Sequence, residues 1–530
     1  MSTSEYRAPQ LGTEAPRLGW VSVREIPADT WALIGLTALA ALIRLLVINN
    51  QSFWMDEALT AYETHSSFGG MLGTVAHVET TPPLYFVLIW AWAHVFGSGE
   101  VGLRSLSTLA GIALVPIAFV SARELFSRWA GVLAAAFVAV NPFLVWYSQE
   151  ARAYMLLAAL SGASFLWFNR ARENQTAGTL AWWTACSSLA VMTHFFAGFL
   201  VAPEALWLLW VSRSRGVIAC VAIVAAVQAA MLPLALTDTS HGTSWIAQVP
   251  RTSRVSTMVV EWSVSLLNRR VSVPAGLAAG AAFVALIALL IAVGADRRTR
   301  AGVKVAASIG GFVVLAPLLL GVLGHDYFLS RNEIPAVVPI AALVAGACAG
   351  PRARVLGAAV ATGPLILFSW ATLQVQTHAY LQRPDWRSVA RALGPAQTTR
   401  AIYAADGTTA DPLKIYMPHV AWVQPQRRIV RIDEIDVVGA TKRLPLALDR
   451  TPAATATTPP RVTRASPVPV SVSPPGARLL ARFRVDNWIV ARFALAHPIR
   501  VSIEQLISRA PRYFRATPRS LLLFFEQPGR

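Results

Sequence analysis

The sequence predicts an all-α polytopic membrane domain of about 11 transmembrane helices, followed by a small extracytoplasmic α/β region at the C-terminus. Three observations predict it. Hydrophobic residues make up 55% of the 530 and charged residues only 14%, against roughly 45–50% and about 25% in an average chain. Apolar runs of membrane-crossing length recur as far as Leu373 and then stop; roughly 20 helical residues, rising 1.5 Å each, cross the hydrocarbon core. Past Gln374 the chain turns to short alternating segments, a mixed amphipathic helix and a Pro/Thr-rich stretch.

Residues 1–30 carry Pro, Arg and Glu without a compact apolar core or small-residue cleavage site, so they are expected to be a cytosolic tail and not a signal peptide. The expected spans are Trp31–Ile48, Ser105–Val120, Trp129–Trp146, Ala153–Phe168, Leu180–Met192, Phe195–Trp210, Val217–Leu236, Pro274–Val293, Val303–Leu323, Pro335–Ala349 and Val355–Leu373. Leu84–Phe96 is apolar but covers only roughly 20 Å of helix, so it reads as a partial or re-entrant segment. Arg123/Arg128, Arg170/Arg172, Arg213/Arg215, Arg297/Arg298/Arg300/Lys304 and Arg352/Arg354 mark cytoplasmic turns by the positive-inside rule. If Leu84–Phe96 does not change sides, the loops holding Asp56, Glu79, Glu150, His194, residues 237–273 and His325–Asn332 share the outer face, together with the C-terminal region.

The membrane domain is thus residues 31–373, with a first outer loop at 50–83. A small α/β domain follows over 374–450: Arg383–Leu393 reads as a loop into an amphipathic helix with Trp386, Val389, Ala390 and Leu393 along one side, and Ala401–Ala404 and Leu413–Tyr416 read as short strands. Residues 451–476 read as a Pro/Thr/Ala-rich linker. The basic segment 477–530 opens with strand-like alternation over Arg478–Ala496, and Ile503–Phe525 is expected to rest on the membrane as an amphipathic element.

The formal charge of +18 is concentrated late: residues 381–530 hold 23 Lys/Arg against 10 Asp/Glu, a surplus of 13. That charge suits an anionic membrane surface or a polyanionic substrate, and no nucleic-acid partner is expected of a multi-pass chain. Cys186, Cys220 and Cys348 lie inside apolar segments, with neither disulfide nor metal spacing. High Arg, Ala and Val usage points to GC-rich bacterial DNA, and with the apolar spans to the inner (plasma) membrane of a bacterium.

Polar residues with chemical potential gather on the proposed outer face. Asp56 and Glu57 are adjacent carboxylates at the mouth of a span, a costly placement unless they bind a cation or exchange protons, with Arg44 one stretch upstream. Glu79-Thr80-Thr81-Pro82-Pro83-Leu84-Tyr85 leads into the short apolar helix. Tyr147-Ser148-Gln149-Glu150-Ala151-Arg152-Ala153-Tyr154 is a charged elbow, and His325-Asp326-Tyr327 through Ser330-Arg331-Asn332 forms a late loop. A carboxylate can take the proton of an attacking hydroxyl, and arginine or a hard divalent ion can neutralise a departing phosphate. Oxygen-rich donors would favour Mg2+ or Mn2+. Each residue also has an ordinary structural reading: helix capping for Asp56, pairing with Glu57 or a reach to headgroups for Arg44, a loop ion pair for Glu150 and Arg152, simple packing for His194.

These motifs resemble the C-type polytopic membrane glycosyltransferases, the superfamily of protein O-mannosyltransferases and lipid A aminoarabinose transferases. The resemblance rests on Arg44, Ser52-Phe53-Trp54-Met55-Asp56-Glu57-Ala58, Glu79 through Tyr85, Phe96-Gly97 to Leu103-Arg104, Asn141-Pro142 and Ser148 through Tyr154. It is strongest from Ile43 to Val140 and looser as far as Gln374. It implies transfer of a sugar from a polyprenyl-phosphate donor to a glycan, lipid or protein acceptor at the extracytoplasmic face, with inversion if the displacement is single. In that family the first-loop acid, here Asp56, acts as base or helps to place the acceptor. Glu57 and Glu150 join Asp56 in the implied catalytic group, Glu79 and Glu150 match acidic positions that line the family's cavity, and Asp56 with Glu79 is the implied pair for a metal, as some members hold one. Arg44, Glu79, Tyr85, Arg152 and Tyr154 are implied substrate contacts, and Arg331 is the candidate partner of the carrier phosphate. The chain departs from the family in carrying Thr81 where histidine commonly precedes the prolines, and Ser330-Arg331-Asn332 in the late loop. Two other classes fit the same layout: a transporter or flippase of lipid-linked saccharides, and an inactive envelope-binding scaffold. A transporter would favour internal repeats with interrupted helices in matching halves, and none is evident.

Overall fold

A computed structural model describes residues 27–77, 79, 81–238, 244–265, 271–405, 410–422, 429–440, 463–464, 476–485, 488–502, 504–506 and 521–527. In chain order the helices are α1 (Ala28–Leu45), α2 (Met55–Thr64), α3 (Phe68–His77), α4 (Leu84–Phe96), α5 (Glu100–Leu125), α6 (Arg128–Val140), α7 (Pro142–Ser148), α8 (Tyr154–Glu173), α9 (Ala177–Thr193) and α10 (Gly198–Val211). They continue with α11 (Arg215–Asp238), α12 (Ser244–Ala247), α13 (Arg251–Val264), α14 (Val273–Gly294), α15 (Arg297–Val322), α16 (Val337–Cys348), α17 (Arg354–Thr377), α18 (Trp386–Leu393) and α19 (Pro412–Tyr416).

Among the described residues six helices are long and apolar enough to cross a membrane: α1, α5, the Arg215–Leu234 part of α11, α14, α15 and α17; α6 with α7 makes a seventh if the bent pair counts as one span. The segments Leu84–Phe96, Phe195–Val211 and Ile334–Cys348 are apolar but shorter. Apolar side chains face outward along these helices, among them Trp210 at 80% exposure and Val355 at 86%. In water such surface would be costly; lipid is its natural surrounding. The chain is a multi-pass membrane protein, and the expected run Leu84–Phe96 appears as a helix with those bounds.

The sequence expectation of one span over Trp129–Trp146 becomes two helices bent by 57° at Asn141-Pro142. Pro142 has no N–H to give the Val138 carbonyl, and the bend strands the carbonyls that follow. Arg44 of α1 supplies the missing donors: its Nη2 reaches Val138 O at 3.2 Å and its Nη1 reaches Ala139 O at 2.9 Å. Thr372 Oγ1 donates to Val140 O at 2.9 Å, and the Asn141 side chain caps α7 by accepting from Leu144 N at 3.1 Å.

Among the described residues the C-terminal part forms one seven-stranded sheet, ordered β2-β7-β1-β3-β6-β5-β4, from β1 (Arg400–Ala405), β2 (Ala421–Trp422), β3 (Ile429–Ala440), β4 (Thr463–Arg464), β5 (Ala477–Val485), β6 (Trp488–Ser502) and β7 (Leu521–Glu526). β1 and β3 are parallel, and β6 runs antiparallel to both β3 and β5. α18 and α19 cover one face through Trp386, Val389, Leu393 and Leu413. Residues 374–450 and 477–530, read as separate regions from sequence, are therefore joined in one sheet. Leu413–Tyr416, expected as a strand, is helical: Pro412 at the first helical position has its φ fixed for that turn. Of the membrane-resting element expected over Ile503–Phe525, residues 507–520 lie outside the described residues, and its end is β7, hydrogen-bonded between β2 and β1. The linker expectation for 451–476 lies outside the described residues except for β4 and Gly476.

Candidate active site

The site is organised by α2. Trp54 is extended, with φ −106° and ψ 179°, and its N–H is accepted by the Glu57 carboxylate at 3.4 Å, which starts the helix. Successive side chains on a helix point roughly 100° apart, so Asp56 and Glu57 cannot face the same way. Glu57 points inward and is fully buried, whereas the Asp56 side chain keeps 18% of its surface.

Glu57 is taken by Arg104 of α5. Nε meets Oε1 and Nη2 meets Oε2, each at 2.7 Å. The remaining donors of Arg104 go to the carbonyls of Ile48 (3.1 Å), Gln51 (2.7 Å) and Ser52 (3.0 Å), so its fork also shapes the turn leading into α2. The Ala151 N–H adds a bond to Glu57 at 2.9 Å. Burial alone would raise the Glu57 pKa, but Arg104 and then Arg383 reverse it and hold the carboxyl below its ordinary value. Glu57, expected in the catalytic group, is placed as a fixed anion under the site.

Glu79 meets Arg152 in a second two-bond contact, at 3.1 and 2.9 Å, and Arg152 also reaches Thr60 at 3.3 Å and lies 5.7 Å from the Phe86 ring centroid. Glu63, one turn along α2 from Thr60 and 3% exposed, was not singled out from sequence; burial and then the negative charge of Glu79 raise its pKa, only partly opposed by Arg152. Glu150 sits at the elbow between α7 and α8. Burial pushes it up to about 7, against the pull of Arg383, while Glu57 and Asp56 add to the rise. Arg331 of the late loop comes within 4.0 Å of Asp56 and stands over the Tyr154 ring at 5.7 Å. His194 packs in the same neighbourhood, 5.9 Å from the Tyr154 ring, with its Nδ1 accepting from Phe196 N.

The elbows and loops carrying Asp56, Glu57, Glu150 and Arg331, distant in sequence, thus converge. Two expected substrate contacts are fully buried. Arg44 is fully buried against Ser148 Oγ (3.0 Å) and the carbonyls at the α6/α7 break, satisfying backbone instead of facing a ligand. Tyr85 of α4 is fully buried with Phe86 at its edge, close enough to Arg152, Glu57 and Glu150 to feel their charges. Arg383, in turn, carried no local motif that sequence reading could attach to this site; its partner Glu150 is 233 residues away. Pro384, which restricts the residue before it to extended backbone, was the one nearby sign of a rigid approach.

For a divalent ion the fit is poor. Among the described residues no three His, Cys, Asp or Glu side chains converge as a metal-holding group. Of the expected pair, Glu79 is already flanked by a guanidinium at hydrogen-bond distance, whose charge opposes a second cation.

Residues 80–237 match the family model described as dolichyl-phosphate-mannose-protein mannosyltransferase. Comparison with curated proteins gives no match. Among solved structures, ArnT from Cupriavidus metallidurans in the apo state superposes with a TM-score of 0.52 at 14% identity, covering 88% of this chain and 98% of ArnT. ArnT from the same organism bound to undecaprenyl phosphate gives a TM-score of 0.50 at 14% identity over the same shares.

Proposed function

We propose that this chain, a C-type polytopic membrane glycosyltransferase by its fold, transfers a sugar from a polyprenyl-phosphate donor to a hydroxyl acceptor at the extracytoplasmic face of a bacterial plasma membrane. The observation that carries the reading is the division of labour among the acids. Glu57 and Glu79 are committed to buried arginines, while Asp56 remains partly exposed and faces Arg331 at 4.0 Å. A base needs access to the incoming hydroxyl, and a phosphate leaving group needs a cation close by. Asp56 and Arg331 are placed to supply one each.

In the step we envisage, the acceptor oxygen attacks the anomeric carbon as its proton passes to Asp56. The bond from that carbon to the phosphate oxygen breaks on the opposite side, and the polyprenyl phosphate departs toward Arg331, with Arg152 adding positive potential. A single displacement inverts the anomeric configuration. Glu150, buried beside Asp56, adds negative potential on the side of the site where the acceptor's proton arrives. The N-terminus is then cytoplasmic, and the C-terminal sheet lies on the same side as the acid cluster. The seating of undecaprenyl phosphate in ArnT, a chain of the same fold, supports a lipid phosphate as the donor's carrier.

The test is release of free polyprenyl phosphate from a synthetic donor in proteoliposomes, with wild type beside Asp56→Asn. Loss of release in the variant with folding intact is the expected result. Undiminished release removes Asp56 from the base role, and movement of the lipid-linked sugar without release would point to transport.

A further inference from the structure

We propose that Arg383 is a positioning residue for the acid cluster: the segment leaving the last membrane helix inserts the countercharge for Glu150, so that the site is complete only when the C-terminal sheet domain is docked. This rests on the reading of Asp56 and Glu150 given above.

Arg383 follows α17 and precedes α18, outside both. Its guanidinium is buried, with Nη2 on Glu150 Oε2 at 2.5 Å, Nη1 on Gln149 O at 3.1 Å and Nη1 at 3.7 Å from Glu57 Oε2. It lies 4.3 Å from the Trp146 ring centroid and 5.5 Å from that of Trp54, and its backbone N–H donates to Gln51 Oε1 at 3.1 Å. An arginine with two carboxylates, a carbonyl and two indole faces is held on every side.

The docking around it is extensive. Ser52 Oγ donates to Pro384 O at 2.8 Å and accepts from Trp386 N at 2.9 Å. Tyr416 Oη of α19 accepts from Phe53 N at 2.7 Å and donates to Glu100 at 2.6 Å, and Arg387 reaches Asn49 O at 2.8 Å. The same short loop, residues 49–53, therefore holds the soluble domain and leads directly into Asp56.

Charge makes the contact functional. The groups facing Glu150 are Arg383, Glu57, Asp56 and Arg331, with the phenols of Tyr147, Tyr154 and Tyr85 around them. Asp56, Glu57 and Glu150 are balanced by Arg331, Arg104 and Arg383. Without Arg383 a buried negative charge has no partner, and a proton on Glu150 is the simplest way to neutralise it. A protonated Glu150 adds no negative potential at Asp56.

Two measurements on the full-length chain in lipid nanodiscs test this. The first is thermal unfolding of wild type, Arg383→Gln, Glu150→Gln and the double variant. Arg383→Gln is expected to lower the midpoint, and adding Glu150→Gln to recover part of the loss, because the pair is again neutral. If Arg383→Gln alone yields no folded protein, recovery of folding in the double variant is the same result. A double variant no more stable than Arg383→Gln overturns the proposal. This arm uses no substrate, so it stands apart from the transferase reading. The second is the pH profile of sugar transfer, whose acid limb follows ionisation of Glu150: Arg383 holds the Glu150 pKa down, so Arg383→Gln moves the limb upward by about one unit or more, the scale set by an opposite charge at this range, and Arg383→Lys keeps it near wild type. A slower Arg383→Gln enzyme with an unmoved limb makes Arg383 purely architectural and also overturns it. Absence of transfer by wild type would count against the proposed function and leave the first arm to decide.

Discussion

Arg104 and Glu57 share two 2.7 Å hydrogen bonds in a place where neither side chain reaches solvent. Removing one partner of such a pair leaves a buried charge alone, at a cost of about 3–5 kcal/mol. Glu57→Gln should therefore unfold the protein at a markedly lower temperature. Asp56→Asn, at a partly exposed position, should change the midpoint little, within about 1 kcal/mol, while abolishing transfer. Thermal melts of the two variants side by side check this; a stable, inactive Glu57→Gln would return Glu57 to the chemistry.

Arg331 stands between Asp56 and the Tyr154 ring. Arg331→Gln takes away the charge proposed to meet the departing phosphate, and the expected loss in kcat/KM is on the order of 100-fold, as for removal of one donor to a developing oxyanion. Arg331→Lys, with a point charge but no planar fork, should fall between the two. Equal rates for Arg331→Gln and wild type would move the phosphate contact to another cation, Arg152 first.

Much of this was legible in the chain, and what escaped did so for definable reasons. Apolar periodicity located Leu84–Phe96 to the residue and placed an amphipathic helix within Arg383–Leu393, because each helix shows its burial in its own pattern. The convergence of Asp56, Glu150 and Arg331 could be argued from loop sidedness alone. Which of two adjacent carboxylates is free could not: that depends on Arg104, whose pairing crosses 47 positions. Arg383 was further out of reach, since its meaning lies in a contact across 233 positions. The helical turn at Pro412–Tyr416 is hidden in the sequence because Leu-Lys-Ile-Tyr alternates like a strand while Pro412 fixes the backbone otherwise.

Glu63 and Glu79 are neighbouring buried carboxylates with one guanidinium, Arg152, near both. Arg152 is committed to Glu79, so Glu63 is the acid whose pKa rises, through burial and then through its neighbour's charge. A carboxyl whose folded pKa lies above its unfolded value disfavours the folded state increasingly as pH rises from the unfolded toward the folded pKa. Glu63→Gln imitates the protonated form and carries no such cost, so its midpoint should match wild type at the acid end and exceed it increasingly as pH rises through neutrality. Glu79→Gln breaks the contact with Arg152 and should be the damaging change of the two. Unfolding midpoints followed from pH 5 to 9 compare them (the range is roughly that of carboxyl shifts by burial); a Glu63→Gln variant as unstable as Glu79→Gln would show that Glu63 is ionised and paired.

Arg44 gives the opposite expectation from the one its sequence position invites. Its Nη atoms hold the Val138 and Ala139 carbonyls that the Pro142 bend leaves without helix donors, and its Nε donates to Ser148 Oγ at 3.0 Å. Gly111 of α5 makes room for that contact: a Cβ there would lie 2.2 Å from Ser148 Oγ and 3.1 Å from Arg44 Nε. Gly111→Ala must push Ser148 aside and break its bond to Arg44, at about 1–3 kcal/mol of overpacking. Arg44→Met leaves two buried carbonyls bare, at about 1–3 kcal/mol each. Both variants should therefore melt early in nanodiscs and yet, at temperatures where they are folded, show the wild-type KM for a polyprenyl-phosphate sugar. A raised donor KM in an Arg44→Met protein of normal stability would place the guanidinium on the substrate after all, and would require the α6/α7 bend to find its donors elsewhere.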